Sequence, residues 1–145
     1  MKLSTRGRYG VRLMLDLASH AGKGPVSLKE IAARQEISEK YLSNIIPPLK
    51  SSGLIIAVRG AQGGYALARH PREISLKDIL LVLEGPMCLV ECADQPRVCD
   101  RSSECLMREV WSEVSARMLE ALHSFTLESL VEKQNTKEKV LSYSI

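Results

Sequence analysis

Residues 27–67 read S-L-K-E-I-A-A-R-Q-E-I-S-E-K-Y-L-S-N-I-I-P-P-L-K-S-S-G-L-I-I-A-V-R-G-A-Q-G-G-Y-A-L, and this stretch decides the fold. Ser27 and Glu30 form a capping box that predicts a short helix, and Ser38 is the N-cap candidate of a second one. Two apolar, β-prone runs then flank R-G-A-Q-G-G, which predicts a hairpin. Two short helices, a tight turn between them and a following hairpin are typical of a winged helix-turn-helix. This order is more specific than either part alone.

The second helix of such a motif enters the major groove of DNA. The residues expected to face DNA from this helix are Ser38, Lys40, Tyr41, Ser43, Asn44 and Lys50, with Tyr41 suited to either the core or the DNA face. The hairpin tip adds Arg59, Gly60 and Gly63. Glycines let the backbone come close to a partner, and an arginine there suits a narrow, negative minor groove. The alternative for the tip is a plain turn with a solvated arginine.

Helical periodicity continues on both sides of this stretch. Before it, apolar residues at helical spacing predict a helix from residue 5 or 6 to about residue 20. After it, we expect a helix over Glu73–Glu84, with Ser75 and Asp78 as a second capping pair. The tandem prolines Pro47 and Pro48 predict a kink or a last helical turn held by packing.

A long helix is predicted beyond Cys105, ending at about Ser124. Its apolar residues recur at alternating spacings of four and three, as in a coiled-coil seam: Met107, Trp111, Val114, Met118, Ala121 and Phe125. At ~1.5 Å per residue, a helix of ~30 Å is longer than this chain needs to cover itself, which favours a dimerisation helix. A core helix within one chain would show the same stripe. A short helix is expected over residues 126–132, before a flexible polar tail over residues 133–145.

Charge is divided unevenly along the 145 residues. Residues 1–74 carry 12 Lys and Arg against 5 Asp and Glu, whereas residues 75–145 carry 8 against 12. The resulting charges of +7 and −4 indicate that the N-terminal half meets nucleic acid, although a solvated basic surface is the alternative. The sequence has no apolar signal-peptide region and no run long enough to span a bilayer, so we expect a cytoplasmic protein with no membrane partner.

All four cysteines lie in one polar segment, at Cys88, Cys92, Cys99 and Cys105. The Asp, Ser and Pro residues among them predict a loop. A free cysteine usually behaves as a small buried hydrophobe, so thiols clustered in a polar loop of a cytoplasmic protein indicate metal or redox chemistry. Iron–sulfur clusters tolerate wide spacings on loops, whereas zinc sites usually use C-x-x-C pairs, which are missing here. Zinc and a metal-free thiol switch remain alternatives.

The chain resembles the Rrf2 family of winged-helix transcription regulators, near its iron–sulfur branch. The resemblance is carried by L-S-T-R-G-R-Y-G at 3–10, the helix-turn-helix at 27–42, V-R-G-A-Q-G-G-Y at 58–65, V-L-E-G-P at 82–86, the last three cysteines, and T-L-E-S-L at 126–130. It implies a homodimer with crossed long helices that binds double-stranded DNA at a palindromic operator. It also implies an iron–sulfur cluster, 2Fe–2S in preference to 4Fe–4S, whose state changes the DNA affinity.

The resemblance implies Cys92, Cys99 and Cys105 as the cluster ligands. Many members carry a ligating His where this chain has Arg108, and others take a carboxylate from the partner's first helix where this chain has Arg8. Neither arginine can bind the cluster. The first candidate for the fourth ligand is therefore Cys88, followed by Glu104 and Glu91.

We therefore expect a mainly α protein with a small β-hairpin. A winged helix-turn-helix DNA-binding domain occupies residues 1–84, a cysteine loop 85–105, a dimerisation helix with a short C-terminal helix 106–132, and a tail 133–145. The predicted function is a homodimeric transcription regulator that senses iron–sulfur cluster status. The alternatives are a cluster-free regulator switched by thiol oxidation or a protein partner, and a small electron carrier or metal-handling protein. No catalytic arrangement is recognisable, so we expect no enzyme.

Overall fold

The computed structural model describes residues 2–144, which form seven α-helices and one two-stranded antiparallel hairpin. The first part of the chain contains α1 (Thr5–Ser19), α2 (Leu28–Gln35), α3 (Glu39–Ser51), β1 (Ile55–Val58), β2 (Gly64–Leu67) and α4 (Leu76–Glu84). The second part contains the short α5 (Glu91–Asp94), the long α6 (Leu106–Ser124) and α7 (Leu127–Tyr143). The predicted mainly helical, winged helix-turn-helix fold is confirmed. Within the described residues, no helix is both long and apolar enough to cross a membrane.

One apolar core joins the helix-turn-helix to the helices around it. Its fully buried members come from α1, α2, α3, β1 and α4, and include Leu13, Met14, Ile31, Leu42, Ile45, Leu49, Ile55 and Ile79. Leu127, the first residue of α7, is 0% exposed in the same core. The C-terminal helix therefore packs back onto the winged-helix part of the chain, against α1.

Two glycines in α1 allow α4 to pack closely against it. A Cβ at Gly10 would overlap the side chain of Leu83, and a Cβ at Gly7 would overlap the carboxylate of Glu84. Glycine in a helix interior costs about 1 kcal/mol relative to alanine, so both positions carry a local penalty that tight packing offsets. This explains the spacing of the two glycines in the opening motif.

The tandem prolines lie inside α3, which continues past them to Ser51. Proline removes the hydrogen bond to the carbonyl four residues earlier. Here those carbonyls belong to Ser43 and Asn44, which are both exposed, so water can satisfy them. Leu49 is fully buried one residue later, in agreement with a last turn held by packing. The C-cap of α3 is Ser52, and Gly53 follows it with a φ of 75°.

Two element boundaries and one loop differ from the prediction. The helix expected from Glu73 begins at Leu76, because the backbone of residues 74–76 instead bonds to residues 125–127, with Leu76 N donating to Phe125 O and Leu127 N to Ile74 O. The cysteine loop contains the helical turn α5 and a 3₁₀ turn at Pro96–Val98. The end predicted for the C-terminal helix at residue 132 is also wrong, since α7 continues to Tyr143. Its Glu, Lys and Gln residues favour helix, and Gln134 bonds Glu138 one turn later.

Candidate nucleic-acid interface and cysteine segment

The outer face of α3 carries the polar residues that the sequence predicts. Ser38 caps the helix by accepting a hydrogen bond from Tyr41 N at 3.1 Å. The inner face, with Leu42, Ile45, Ile46 and Leu49, is buried. This leaves the opposite face free, and it presents Ser38, Lys40, Ser43, Asn44 and Lys50, all exposed. The helix can therefore offer hydrogen-bonding groups and two cations to a groove without giving up any core contact.

Tyr41 belongs to the core side more than to the outer face. Its ring is half-buried and meets Tyr9 edge-to-face, with the centroids 5.5 Å apart and an interplanar angle of 80°. Such pairs contribute about 1 kcal/mol beyond area burial. Arg12 lies over the same Tyr9 ring at 5.5 Å and donates to the Gln35 side chain and to the Gln35 carbonyl. These contacts fix α3 and the end of α2 against α1.

A buried carboxylate locks the first helix to the second. Asp16 is 5% exposed and accepts hydrogen bonds from Arg34 Nε at 3.0 Å, Arg34 Nη2 at 2.8 Å and Gln35 Nε2 at 3.0 Å. Burial alone raises the pKa of Asp16, but the hydrogen bonds from Arg34 and Gln35 outweigh it and the net pKa is lowered. Nothing in the sequence points to this group, because a lone Asp in an amphipathic helix gives no sign of its distant partner.

The turn between α2 and α3 adopts an unusual backbone conformation. Glu36 has φ 54° and ψ 44°, the left-handed region, and within residues 2–144 it is the sole residue other than glycine with a positive φ. Ile37 follows and is 6% exposed, which anchors the turn in the core. A left-handed residue costs an ordinary side chain about 1–2 kcal/mol, and the packing on both sides offsets this.

The wing is a short hairpin attached to the body of the domain. Ile55 pairs with Leu67 and Val58 with Gly64, so residues 59–63 form the tip, in which Arg59 and Gly60 are exposed. Val26 and Tyr65 exchange two backbone hydrogen bonds of 2.8 Å, which tie the hairpin to the residue before the α2 cap. The predicted hairpin is confirmed. Arg59 lies at its tip, and the backbone bonds between Val26 and Tyr65 hold the other end of the hairpin against the domain.

Close backbone approach explains two of the wing glycines. A Cβ at Gly63 would overlap the carbonyl oxygen of Val58, and a Cβ at Gly64 would overlap that of Val26. Gly64 also has φ 155°, at the edge of the range that disfavours other residues. Gly63 is therefore required for the hairpin turn itself, whatever it contributes to binding DNA.

The cysteine segment, residues 85–105, is anchored to α6 at two points. Leu89 N donates to the hydroxyl of the buried Ser115 at 3.1 Å, and that hydroxyl donates to the Trp111 carbonyl. Arg108 Nε donates to the carbonyl of Cys92 at 2.8 Å. Arg108, which cannot bind a metal, thus holds the helical turn that contains Cys92.

All four thiols are free, with Cys99 exposed and Cys88, Cys92 and Cys105 partly exposed. Thiolates are the usual ligands of iron–sulfur clusters, so the donor set fits such a group in kind. In the part of the chain that the structure describes, however, no three Cys, His, Asp or Glu side chains are grouped closely enough to hold a metal ion.

The α6 helix leaves most of its apolar seam uncovered. Met107, Trp111 and Val114 are 45%, 37% and 42% exposed, and the neighbouring Leu106 and Val110 are also exposed. Ser115 is the one residue of α6 that is buried. Within the described residues the chain itself leaves these side chains uncovered, which does not agree with the alternative of a helix buried in a single-chain core.

Comparison with known proteins gives consistent matches along the chain. Residues 3–133 match the model of the Rrf2 family, described as "Iron-dependent Transcriptional regulator". Protein rrf2 of Nitratidesulfovibrio vulgaris is 44% identical over 131 residues, which are 90% of this chain and 87% of that protein. The solved structure of CymR, "the Global Cysteine Regulator of B. subtilis", is 41% identical with a TM-score of 0.77, covering 92% of this chain and 98% of that one. The structure of IscR from T. potens is 44% identical with a TM-score of 0.76, covering 92% and 88%.

Proposed function

This chain belongs to the Rrf2 family of transcriptional regulators, and from that premise we propose that it is a homodimer whose affinity for a palindromic DNA operator depends on an iron–sulfur cluster. The family membership confirms the resemblance found in the sequence and the expectation of a regulator and not an enzyme. In this proposal residues 1–84 read DNA, residues 85–105 sense the cluster, and α6 joins the two protomers.

The outer face of α3 is the observation that carries the DNA-binding part of the proposal. That face is polar, exposed and free of core contacts, and it suits a major groove. Arg59 at the wing tip suits the adjoining minor groove, and Lys40 and Lys50 suit phosphates. The half of the chain with the positive net charge is the half that contains these residues.

A gel shift with operator DNA tests the proposed role of Arg59 in DNA binding. We expect Arg59→Ala to weaken binding by about tenfold to a hundredfold, since a groove-inserted arginine is worth about 1–3 kcal/mol. Arg117→Ala is the control, because Arg117 is an exposed arginine of α6 that pairs with Glu113. Equal affinities for the two variants would argue against a role of the wing in DNA binding.

Dimerisation through α6 is supported by its exposed seam. The stripe of Met107, Trp111 and Val114 repeats at the spacing of a coiled coil, and an aromatic anchor in such a stripe is typical of interface hot spots. A dimer would place two copies of α3 on one DNA face and thereby match a palindromic site.

A role for the cysteine segment in cluster binding is supported by the donor set and by the description of the family. Cys92, Cys99 and Cys105 are free thiols on one segment, and the family is described as iron-dependent. Cys88 remains the first candidate for the fourth ligand, ahead of Glu91 and Glu104. A bound cluster would hold Cys92, Cys99 and Cys105 together for as long as the cluster is intact, and its redox sensitivity would make this connection reversible.

Anaerobic purification with iron and sulfide counts tests the cluster directly. We expect about stoichiometric iron and sulfide in the wild type, loss of both in the variant with Cys92, Cys99 and Cys105 replaced by Ser, and partial loss in Cys88→Ser. A colourless wild-type protein that takes up no iron and sulfide on reconstitution, yet loses operator binding when its thiols are oxidised, would support the cluster-free alternative instead.

A further inference from the structure

One carboxylate joins the end of α4 to the start of α1. Glu84 Oε1 accepts hydrogen bonds from Ser4 N at 3.0 Å and from Ser4 Oγ at 2.6 Å. Ser4 Oγ in turn accepts from Gly7 N at 3.0 Å, as the N-cap of α1. A charged acceptor makes such bonds stronger, and the N-terminus of a helix favours a negative group.

The first turn of α1 is shaped to admit this carboxylate. Gly7 is buried, and a Cβ there would overlap Glu84 Oε1. A side chain at position 7 would have to displace the Glu84 carboxylate, so the close approach of Glu84 explains the glycine there. The glycine, the capping serine and the carboxylate therefore form one unit.

This unit borders both the basic N-terminus and the cysteine segment. Glu84 is the last residue of α4, and the cysteine segment begins at the next residue, Gly85. Lys2 and Leu3 line the same small cavity, about 120 Å³, as Pro86, Met87 and Cys88. Met87 is 6% exposed, so a movement of the cysteine segment at this point would disturb buried contacts as well as Glu84.

We propose that Glu84 is a positioning residue that holds the basic start of α1 for DNA and transmits changes of the cysteine segment to it. Lys2, Arg6 and Arg8 are the exposed cations that it would position. Glu84 is joined to the cysteine segment directly through the chain, since one peptide bond separates it from Gly85. Glu84 is joined to α1 by the two hydrogen bonds from Ser4, which a small displacement of Glu84 would break. This inference rests on the proposed DNA-binding function.

Operator affinity and its salt dependence test the positioning role. We expect Glu84→Ala to bind operator DNA about tenfold more weakly and to reduce the salt slope by about one to two, since each phosphate contact contributes roughly 0.9. Glu84→Gln, which keeps an acceptor oxygen, should retain most of the affinity. Glu132→Gln is the control for charge, because the exposed Glu132 side chain makes no hydrogen bond or ion pair within residues 2–144.

Ser4→Ala provides a second, milder variant should Glu84→Ala unfold. It removes the hydroxyl bond to Glu84 and the cap bond from Gly7 N but leaves the bond from Ser4 N to Glu84, so an intermediate loss of affinity and of salt slope is expected. If Glu84→Ala is folded and matches Glu132→Gln in both affinity and slope, the positioning role is refuted. If it is unfolded, an unchanged Ser4→Ala refutes the role in the same way.

Hydrogen exchange of residues 4–9 tests the transmission without a cluster. We expect alkylation of the thiols with N-ethylmaleimide to speed exchange there in the wild type, and to add nothing in Glu84→Ala, where exchange is already fast. No change in the wild type would refute the transmission. Iron and sulfide counts are measured separately, so failure of cluster binding and failure of this inference remain distinguishable.

Discussion

Replacement of Asp16 by Asn should loosen the helix-turn-helix and lower the stability of the whole domain. The carboxylate accepts three hydrogen bonds, two of them from the charged Arg34 at 2.8 and 3.0 Å. A hydrogen bond to a charged group contributes about 1.5–3 kcal/mol. In Asp16→Asn, an amide NH₂ group would replace one carboxylate oxygen and would face the N–H donors of Arg34 and Gln35. Because the Arg34 side chain is 38% exposed and can regain water, we take a value near the lower end, about 2 kcal/mol.

The same change should alter the pH dependence of stability. The pKa of Asp16 is lowered from 3.8 in the folded protein, so the unfolded chain binds more protons in the acid range. The stability from this group is present above pH 3.8 and is lost as the pH falls through the lower folded-state pKa. The difference between the wild type and Asp16→Asn should therefore shrink as the pH falls below 3.8.

Urea unfolding followed by circular dichroism measures both effects. Glu113→Gln is the matched control, since it removes an ion pair of 2.6 Å whose side chains are 64% and 76% exposed. Such surface pairs contribute less than about 1 kcal/mol, so this variant should unfold near the wild-type midpoint. A loss in Asp16→Asn no larger than that of the control, or one that grows as the pH falls below 3.8, would refute the role assigned to the buried carboxylate.

The wing, the turn and the dimer seam give three further expectations. Gly64→Ala should lower the free energy of unfolding by about 2–3 kcal/mol, because the added Cβ would overlap the Val26 carbonyl. Gly24→Ala is the control: its φ is 91° but the space around it is open, so it should lose only about 1 kcal/mol. Thermal unfolding of the two variants measures the difference. Glu36→Gly should raise the free energy of unfolding, measured in urea, by about 0.5 kcal/mol, since glycine accepts a φ of 54° without strain. A lower free energy of unfolding would show that the Glu36 side chain stabilises the turn and would contradict this prediction. Trp111→Glu should raise the dimer dissociation constant about thirtyfold in sedimentation equilibrium, as for a hot spot of about 2 kcal/mol, and an unchanged constant would remove α6 from the interface.

The local signals in this chain were strong enough to predict most elements. Ser27 with Glu30, Ser38, and Ser75 with Asp78 all cap helices as expected, because capping depends on residues three positions apart in the sequence. The hairpin also follows from local turn chemistry. One error arose where a distant partner decided the outcome, since residues 74–76 pair with residues 125–127 and this delays the start of α4. The other was local, because the Glu, Lys and Gln residues after 132 favour helix and extend α7 to Tyr143.

The sequence by itself determined the winged helix-turn-helix and the presence of four thiols in one polar segment, since periodicity, caps and composition are properties of neighbouring residues. Only the tertiary structure decided which polar groups are joined across the fold. Asp16 meets Arg34 eighteen residues away, and Glu84 meets Ser4 eighty residues away. Sequence spacing carries no record of such encounters, because they depend on how helices pack.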